Sequence, residues 1–265
     1  MKKNTKRFKN DFIASYKYCK NNNLYLSLGN PNSNILLIGK ETSNDKIEFN
    51  EMSKSNLQSW EDIISKNKTY KDIGFLEDNA LFPWKGQKFT IRRVKKDGSI
   101  TGKEGTSTTW YYYQYLINLI CNKPVKINKD LIDFHHFSFQ SEMNQLNSKT
   151  SNLIAKNDLR RINSFKDREK LFSLNFFRNF KIIILASGHY HRDFDFDIEN
   201  TFHVKWTGKT NPISKGNWYN IHYDDLEKPK RILIHTRQFS SGISKELIKN
   251  IAIESRKFKV SSNCQ

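Results

Sequence analysis

The sequence predicts an α/β fold, a three-layer α/β/α sandwich around a mainly parallel, four-stranded central sheet. Short, continuous apolar runs alternate along the chain with segments of helical spacing, which is typical of a parallel sheet whose strands are buried on both faces. The length of 265 residues suits one such domain. No internal repeat and no linker rich in Pro, Gly or Ser divides the sequence, so we expect a single domain over residues 1–265.

Four apolar runs are predicted to form the sheet, at residues 34–39, 131–139, 180–186 and 231–235. The first reads NILLIG and ends at a glycine, as a buried parallel strand does, and the third, FKIIILA, has the strongest local pattern. Parallel sheets place their chemistry at the carboxyl ends of the strands. Functional residues are therefore expected just after each run.

Apolar residues recur at helical spacing in five other segments, at residues 12–18, 57–64, 106–120, 164–179 and 243–257. Ser107 or Thr108 is expected to cap the third of these helices. The first belongs to a basic N-terminal helical arm, residues 1–30. Residues 89–99 are predicted to form a hairpin with a protruding basic turn around 92–96, and residues 258–265 a flexible tail.

The composition is strongly basic, with 45 Lys and Arg against 27 Asp and Glu and a formal net charge of +18. A basic surface of that size attracts polyanions through Coulomb steering and counterion release, so DNA is the expected partner. A Lys- and Asn-rich composition inherited from an AT-rich genome would explain the same charge. The 19 Phe, 11 Tyr and 5 Trp supply the apolar area of a folded core.

The cysteines and the apolar runs give an expectation for the cellular location of the protein. Cys19, Cys121 and Cys264 are scattered, odd in number and without a CxxC spacing, which argues against a disulfide framework and against a structural zinc site. The basic N-terminus is followed by no apolar segment, and no apolar run approaches the roughly 18 residues of a membrane span. We expect a monomeric, cytoplasmic protein without a membrane segment and without a metal or other cofactor.

Two loops and a strand between them carry a resemblance to a known family. Residues 35–44 read ILLIGKETSN, an apolar strand that runs into glycine and then into a loop with an acidic residue. Residues 232–242 read ILIHTRQFSSG, a strand that ends in histidine before a short loop. With the intervening strand at 176–191, their order and separation resemble those of the motifs of the uracil-DNA glycosylase superfamily. The sequence departs from the best-known pattern in having Glu rather than Asp as the acid and in lacking prolines in the second loop.

The resemblance implies a uracil-DNA glycosylase-like fold, a base-excising hydrolase, and catalytic roles for Glu41 and His235. Cutting an N-glycosidic bond makes an oxocarbenium-like sugar and an anionic leaving base, so the site needs a carboxylate near the sugar and a donor near the base. Glu41 would position or deprotonate the attacking water, and His235 would donate a hydrogen bond to the base. Taken alone, Glu41 is also explained as a helix N-terminal acid, and His235 as a hydrogen-bonded histidine that closes a strand.

A base inside a duplex must be flipped out, and an apolar side chain usually fills the gap. By resemblance Phe239 is the wedge and Arg237 grips a phosphate beside the gap. Ser240 and Ser241 would donate to phosphate oxygens. The alternative for Phe239 is a loop residue folded back on the core.

The flipped base is expected to lie against the first motif, at Gly39, Lys40, Ser43 and Asn44. Phe82, or second to it Trp84, is the candidate for stacking on the base, and a core role explains both equally well. His136, Ser138 and Gln140 alternate along the end of the second predicted strand, where any of them could read the base edge.

Ser43 stands where the uracil-specific members have a bulky tyrosine that blocks C5-substituted pyrimidines. The smaller side chain leaves that space open. The predicted substrate is therefore a modified, C5-substituted pyrimidine, whose removal would serve repair or defence against phage DNA. Lyase activity stays open, since Lys40 could form a Schiff base only if burial or a neighbouring cation lowered its pKa.

Two other functions are consistent with the sequence. His189, His191 and Asp193 alternate and would share one face of an extended strand, where they could hold the divalent metal of a nuclease; in a helix or loop that alignment is lost. A catalytically inactive relative would keep the scaffold and bind DNA without chemistry. Phosphate-binding sequences of the GxxxxGK[ST] and GxGxxG types are absent, which disfavours nucleotide hydrolysis and dinucleotide chemistry.

Overall fold

The computed structural model describes residues 7–41, 48–89, 93–94, 100–101, 107–124, 131–146, 155–240 and 242–258. Within them the chain forms an α/β fold on a seven-stranded mixed sheet, with helices on both faces. A separate two-stranded ribbon lies outside this sheet.

The strands of the main sheet are β1 Leu28–Gly29, β2 Ile35–Gly39, β5 Phe139–Glu142, β6 Ile182–Ala186, β7 Lys205–Ser214, β8 Asn217–Tyr223 and β9 Ile232–Thr236. Their order across the sheet is β1-β5-β2-β6-β9-β8-β7. The ribbon pairs β3 Arg93–Val94 with β4 Ile100–Thr101, so a hairpin is present in the predicted region. Residues 95–99 of its predicted turn lie outside the described residues, as do residues 1–6 and 259–265.

The four central strands, β5, β2, β6 and β9, are parallel, whereas β1 and the β7–β8 hairpin extend the two edges in antiparallel fashion. The α/β class is confirmed and the layers fit a three-layer sandwich, but the prediction of a four-stranded sheet is wrong. The missed strands lie at the edges. Strand β1 has two residues, and β7 is exposed along almost its whole length, so neither has the apolar run of a buried strand.

The helices are α1 Asn10–Asn22, α2 Phe49–Ser65, α3 Thr108–Ile120, α4 Phe134–Phe137, α5 Leu159–Phe172, α6 Asn175–Arg178, α7 Tyr190–Asp193, α8 Ile198–Phe202 and α9 Lys245–Arg256, with a 3-10 turn at Tyr70–Asp72. The predicted helices at 12–18, 57–64, 106–120 and 243–257 are confirmed as α1, α2, α3 and α9. The predicted helix at 164–179 is divided into α5 and α6. Ser107 precedes α3 but makes no side-chain capping bond. None of the described helices is long and apolar enough to cross a membrane.

The second of the four predicted strands is mostly wrong, because its centre forms the short helix α4 and the strand itself starts at Phe139. The side chain of Gln114 stabilises this turn. Its Oε1 accepts from the backbone N–H groups of Asp133 and Phe134 at 2.9 and 3.0 Å, which satisfies the first donors of the helix.

Alternate residues of the central strands point to opposite faces of the sheet and build two cores. One face packs against α1, α2, α5 and α6 through Leu36, Ile38, Ile183, Leu185 and Leu233. The other packs against α3 and α9 through Ile35, Leu37, Ile182, Ile184 and Ile234. Helix α1 is therefore part of the core rather than a projecting arm.

The cysteines differ in state. Cys19 is free and lies on the buried face of α1, where burial raises the pKa of its thiol to about 12. Such a thiol stays protonated and unreactive at neutral pH. Cys121 is disulfide-bonded, although the scattered cysteines predicted no disulfide framework.

A buried arginine ties α5 to the end of the sheet where functional residues are expected. Arg168 is fully buried, and it donates from Nε to the carbonyl of Glu142 at 2.8 Å and from Nη1 to the carbonyl of Tyr25 at 2.6 Å. Its Nη2 donates to Ser141 Oγ, and its guanidinium lies over the ring of Phe172. Burial lowers the pKa of Arg168 to about 10, so the group is charged at neutral pH and its hydrogen bonds are charge-assisted.

Arg168→Met is expected to lower the free energy of unfolding by about 3 kcal/mol, because two buried carbonyl groups lose a charged donor. Urea denaturation measures the change. Arg160→Met is the matched control, since Arg160 lies on the same helix but is exposed and paired at the surface with Asp158. We expect it to change stability little. Equal losses in the two variants would contradict the role given to Arg168.

Candidate active site

The carboxyl ends of the four parallel strands meet at one edge of the sheet, where a cleft opens in two adjoining compartments. The first compartment, at the ends of β5 and β2, has a volume of about 210 Å³, and its lining includes Tyr25, Gly39, Glu41, Trp110, Gln140 and Glu142. The second, at the ends of β6 and β9, has a volume of about 390 Å³, and its lining includes His189, Tyr190, Asp193, Trp218, Arg237 and Ser240. Lys40 and Gln238 line both compartments.

Glu41 enters the first compartment from the segment that follows β2, and its carboxylate is held by Tyr190. The hydroxyl of Tyr190 lies 2.9 and 2.7 Å from the two carboxylate oxygens, to which it donates. The same hydroxyl accepts from the guanidinium of Arg161 at 2.7 Å. A donor chain from Arg161 through Tyr190 therefore fixes the orientation of the Glu41 carboxylate.

Glu142, which was not among the residues predicted from the sequence, faces the same compartment from the end of β5. Its Oε1 accepts from the side-chain amide of Gln140 at 3.1 Å, whereas its Oε2 is buried without a hydrogen-bond partner among the described residues. Burial, with a further contribution from the negative charge of Glu41, raises the pKa of Glu142 to about 8. Glu142 is thus mostly a neutral carboxylic acid at pH 7, in a cleft that also contains the Glu41 carboxylate.

Gly39, a predicted substrate-binding residue, makes the close approach of Glu142 possible. A Cβ atom at this position would lie 2.3 Å from Glu142 Oε2 and 3.2 Å from Tyr113 Oη. The Tyr113 hydroxyl is also buried without a hydrogen-bond partner among the described residues. Both atoms therefore lie beside Gly39, at the end of β2.

Gln140 is the one of the three candidate edge-reading residues that lines the cleft. His135 is buried and its pKa is lowered to about 3 by that burial, so its ring is neutral and Nε2 donates to Gln140 Oε1 at 3.2 Å. That bond turns the amide nitrogen of Gln140 toward Glu142. The ring of His135 packs edge-on against Trp110, with ring centroids 4.8 Å apart. Trp110, His135 and Gln140 therefore form a continuous set of contacts that ends at the carboxyl group of Glu142.

The second compartment combines cations with an aromatic surface. His189 stacks on Trp218, with ring centroids 5.5 Å apart and an angle of 22° between the planes. Arg237 donates from Nη1 to the carbonyl groups of Gly216 and Gly242 at 3.1 and 3.2 Å, which joins the turn between β7 and β8 to the loop before α9. Arg237 and Ser240, both predicted phosphate contacts, line this compartment.

His235 does not lie where the resemblance implies. It is buried within β9, which extends one residue beyond it, and it is not among the residues that line the compartments. Its Nε2 donates to the carbonyl of Gly188 at 2.7 Å, and its ring packs against His191 and Trp218. Burial lowers the pKa of His235 to about 3. The interpretation of His235 as a donor to the base is therefore wrong in this conformation, and the residue instead supports the wall of the second compartment.

Phe239 is corrected as well, because its side chain is fully buried in the core beneath α3 and α9. Its ring lies 5.6 Å from that of Tyr113. The loop therefore does not present Phe239 as a wedge in this conformation. The alternative of a loop phenylalanine folded back on the core is the one observed.

Three predicted base contacts lie away from the cleft. Phe82 is buried against Tyr70, with ring centroids 4.6 Å apart, and His136 packs on the same two rings. Ser138 is buried, and its hydroxyl donates to the carbonyl of Phe134 at 2.8 Å. His136 and Ser138 have these contacts because α4 replaces the predicted strand. Ser43, Asn44 and Ser241 lie outside the described residues.

The metal-site hypothesis loses its geometric basis. His189 precedes the short helix α7, and His191 and Asp193 lie within it, so the three do not alternate along a strand. Asp193 forms an ion pair with Lys156 at 3.0 Å. Over the described ranges, no group of three or more His, Cys, Asp or Glu side chains is placed to hold a metal ion.

Comparison with known proteins adds no relative, since no family model, no curated protein and no solved structure matches the chain. The likeness to the uracil-DNA glycosylase superfamily therefore rests on the two motif loops and their order in the sequence. The function has to be argued from the side chains that the fold brings together.

The raised pKa of Glu142 has a consequence for stability. Between about pH 4.5, its ordinary value, and about pH 8, the folded chain keeps a proton that the unfolded chain releases. Folding stability from this group therefore falls as the pH rises through that window. Glu142→Gln removes this pH dependence. The free energy of unfolding of the variant should therefore rise relative to that of the parent protein from about pH 5 to about pH 8. Urea denaturation at a series of pH values measures it, and a constant difference would show that Glu142 is ionised at pH 7.

Proposed function

We propose that the protein is a DNA glycosylase that flips a modified pyrimidine out of DNA and hydrolyses its N-glycosidic bond. The observation that carries the proposal is the pair of glutamates in the first compartment. Glu41 offers an oriented carboxylate, and Glu142 offers a carboxylic acid that is still protonated near neutral pH. Glycosidic hydrolysis uses two carboxyl groups, one as a carboxylate near the sugar and one as an acid near the leaving group.

The roles follow from the charges that develop in the reaction. Positive charge grows on the sugar, where the Glu41 carboxylate offsets it and accepts a proton from the attacking water. Negative charge grows on the leaving base, where the acid of Glu142 donates a hydrogen bond or a proton. Glu142 thereby takes the task that the resemblance gave to His235. Gln140, held by His135, lies beside Glu142 and would contact the base edge.

DNA is the partner that the charge supports. The formal net charge of +18 favours a polyanion, and the second compartment adds Lys40 and Arg237 beside the ring stack of His189 on Trp218. Cations and an aromatic face suit a phosphate and a neighbouring base of the same strand. The base would enter the first compartment while the adjoining backbone occupies the second.

A C5-substituted pyrimidine is the base class to test first, on the argument from the small side chain of Ser43. The purified chain is incubated in EDTA with DNAs that contain uracil, hydroxymethyluracil, hydroxymethylcytosine or glucosylated hydroxymethylcytosine, and released bases are identified by mass spectrometry. We expect release of a C5-substituted base. Glu41→Gln should reduce its rate by about 100-fold or more, because the water loses its base.

Glu61→Gln is the matched control for Glu41→Gln. Glu61 is a glutamate paired with Lys20 at the surface between α1 and α2, and its change should leave release near the parent rate. No release from any of these DNAs would refute the glycosylase. DNA binding without release would favour the inactive relative, and strand scission restored by Mg²⁺ or Mn²⁺ would favour the nuclease.

The pH dependence of base release separates the two glutamates. Because Glu142 must hold its proton to act as the acid, release should fall as the pH rises through about 8. Single-turnover rates between about pH 6 and about pH 9.5 measure this limb. In Glu142→Gln the limb should disappear and the remaining rate should be low at every pH. A limb that persists in this variant would mean that another group is the acid.

A further inference from the structure

Lys40 occupies the junction of the two compartments. It directly follows β2, and its backbone is fixed because its carbonyl accepts from the N–H of Asn144 at 2.8 Å. Its Nζ lies 4.3 Å from the centre of the Tyr190 ring, and its side chain passes beside Gly188. Among the described residues that line the cleft, it is the one lysine.

The surroundings of Lys40 lower the pKa of its amine. Burial is the largest cause, and the positive charges of Arg161 and Arg237 act in the same direction, while Glu41 and Asp193 oppose them. Desolvation and neighbouring cations are the two devices that make a lysine nucleophilic in proteins.

We propose that Lys40 is a nucleophilic amine that forms a Schiff base with the C1′ aldehyde of an abasic deoxyribose, so that the protein also cleaves the DNA strand. The proposal rests on the proposed function, because removal of a base leaves an abasic sugar in this cleft. Lys40 borders the compartment that contains Glu41 and the one that contains Arg237, and the reaction needs both neighbours.

The chemistry balances without a further reactant. The abasic sugar opens to its aldehyde, the Lys40 amine adds to C1′, and water leaves as the iminium forms. The Glu41 carboxylate then takes a proton from C2′, a C2′–C3′ double bond forms, and the C3′–O bond breaks with its electron pair leaving on the phosphate. Arg237 and Ser240 line the second compartment, where they can stabilise the departing phosphate. Water finally hydrolyses the unsaturated imine and restores Lys40.

A purely electrostatic role is the competing explanation for Lys40. A lysine that only binds phosphate would make the same charge contribution without a covalent bond. Arginine preserves that charge but forms no Schiff base with the aldehyde, so Lys40→Arg separates the two roles.

The test uses the full chain and an oligonucleotide with one preformed abasic site, which bypasses base removal. Sodium cyanoborohydride is added because it reduces an imine to a stable secondary amine. A covalent protein–DNA adduct is scored on a denaturing gel, and peptide mass spectrometry identifies the modified residue. An oligonucleotide with a tetrahydrofuran analogue, which has no aldehyde, controls for other cross-links.

We expect an adduct with the abasic DNA, mapped to Lys40, and none with the analogue. Lys40→Arg should lose the adduct while it keeps the melting temperature of the parent, and Lys20→Arg, at the surface, should keep both. No adduct, or an adduct mapped to another residue of the parent protein, would overturn the proposal. Base release without an adduct would refute the amine alone, and an adduct without base release from any modified DNA would refute the glycosylase alone.

Discussion

The guanidinium of Arg168 holds together the two backbone segments on which the cleft is built. By donating to the carbonyl groups of Glu142 and Tyr25, it fixes the end of β5 and the approach to β1 from one side of the sheet. From the other side, Gly39 gives the Glu142 carboxyl room to lie against the backbone of β2. Glu142 is therefore enclosed, with its backbone held by Arg168 and its carboxyl group against Gly39. Burial raises the pKa of Glu142 because it disfavours the charged carboxylate, and the positive charge of Arg168 offsets only part of that effect.

The two compartments differ in charge, and the difference suits a strand of DNA. The Glu41 carboxylate faces the first compartment beside the neutral acid of Glu142, whereas Arg237 faces the second compartment, which Asp193 also lines. Under the proposed function, the guanidinium of Arg237 would attract a phosphate to the second compartment, and the Glu41 carboxylate would repel it from the first. Lys40, which lines both compartments, would then lie beside the sugar between the phosphate and the base.

The sequence predicts the parts of the fold that depend on local apolar runs. It fails where a side chain distant in the sequence determines the local secondary structure. Strands β2, β6 and β9 are continuous apolar runs and were located within one or two residues. The start of β5 was misplaced because Gln114, on α3, supplies the acceptor that makes α4 helical. Because the predicted strand ended at residue 139, Glu142 was not considered as a candidate; it lies two residues beyond Gln140, the last of the three candidates. The sequence did point to this end of the strand, because Gln140, two residues before Glu142, was a candidate for reading the base edge.

The placement of His235 shows why the end of a strand can be predicted from its apolar run while the role of its last residues cannot. Strand β9 continues through Thr236, so His235 is paired on both sides within the sheet and its ring cannot project beyond the strand end. There it donates to Gly188, whose left-handed backbone (φ +60°) lies beside the Lys40 side chain. Because burial lowers its pKa to about 3, His235 keeps that bond as a neutral ring at neutral pH. Among the described residues that line the cleft, burial moves the pKa values of Glu142 and Lys40 toward neutrality, so we expect these two groups to make the cleft respond to pH.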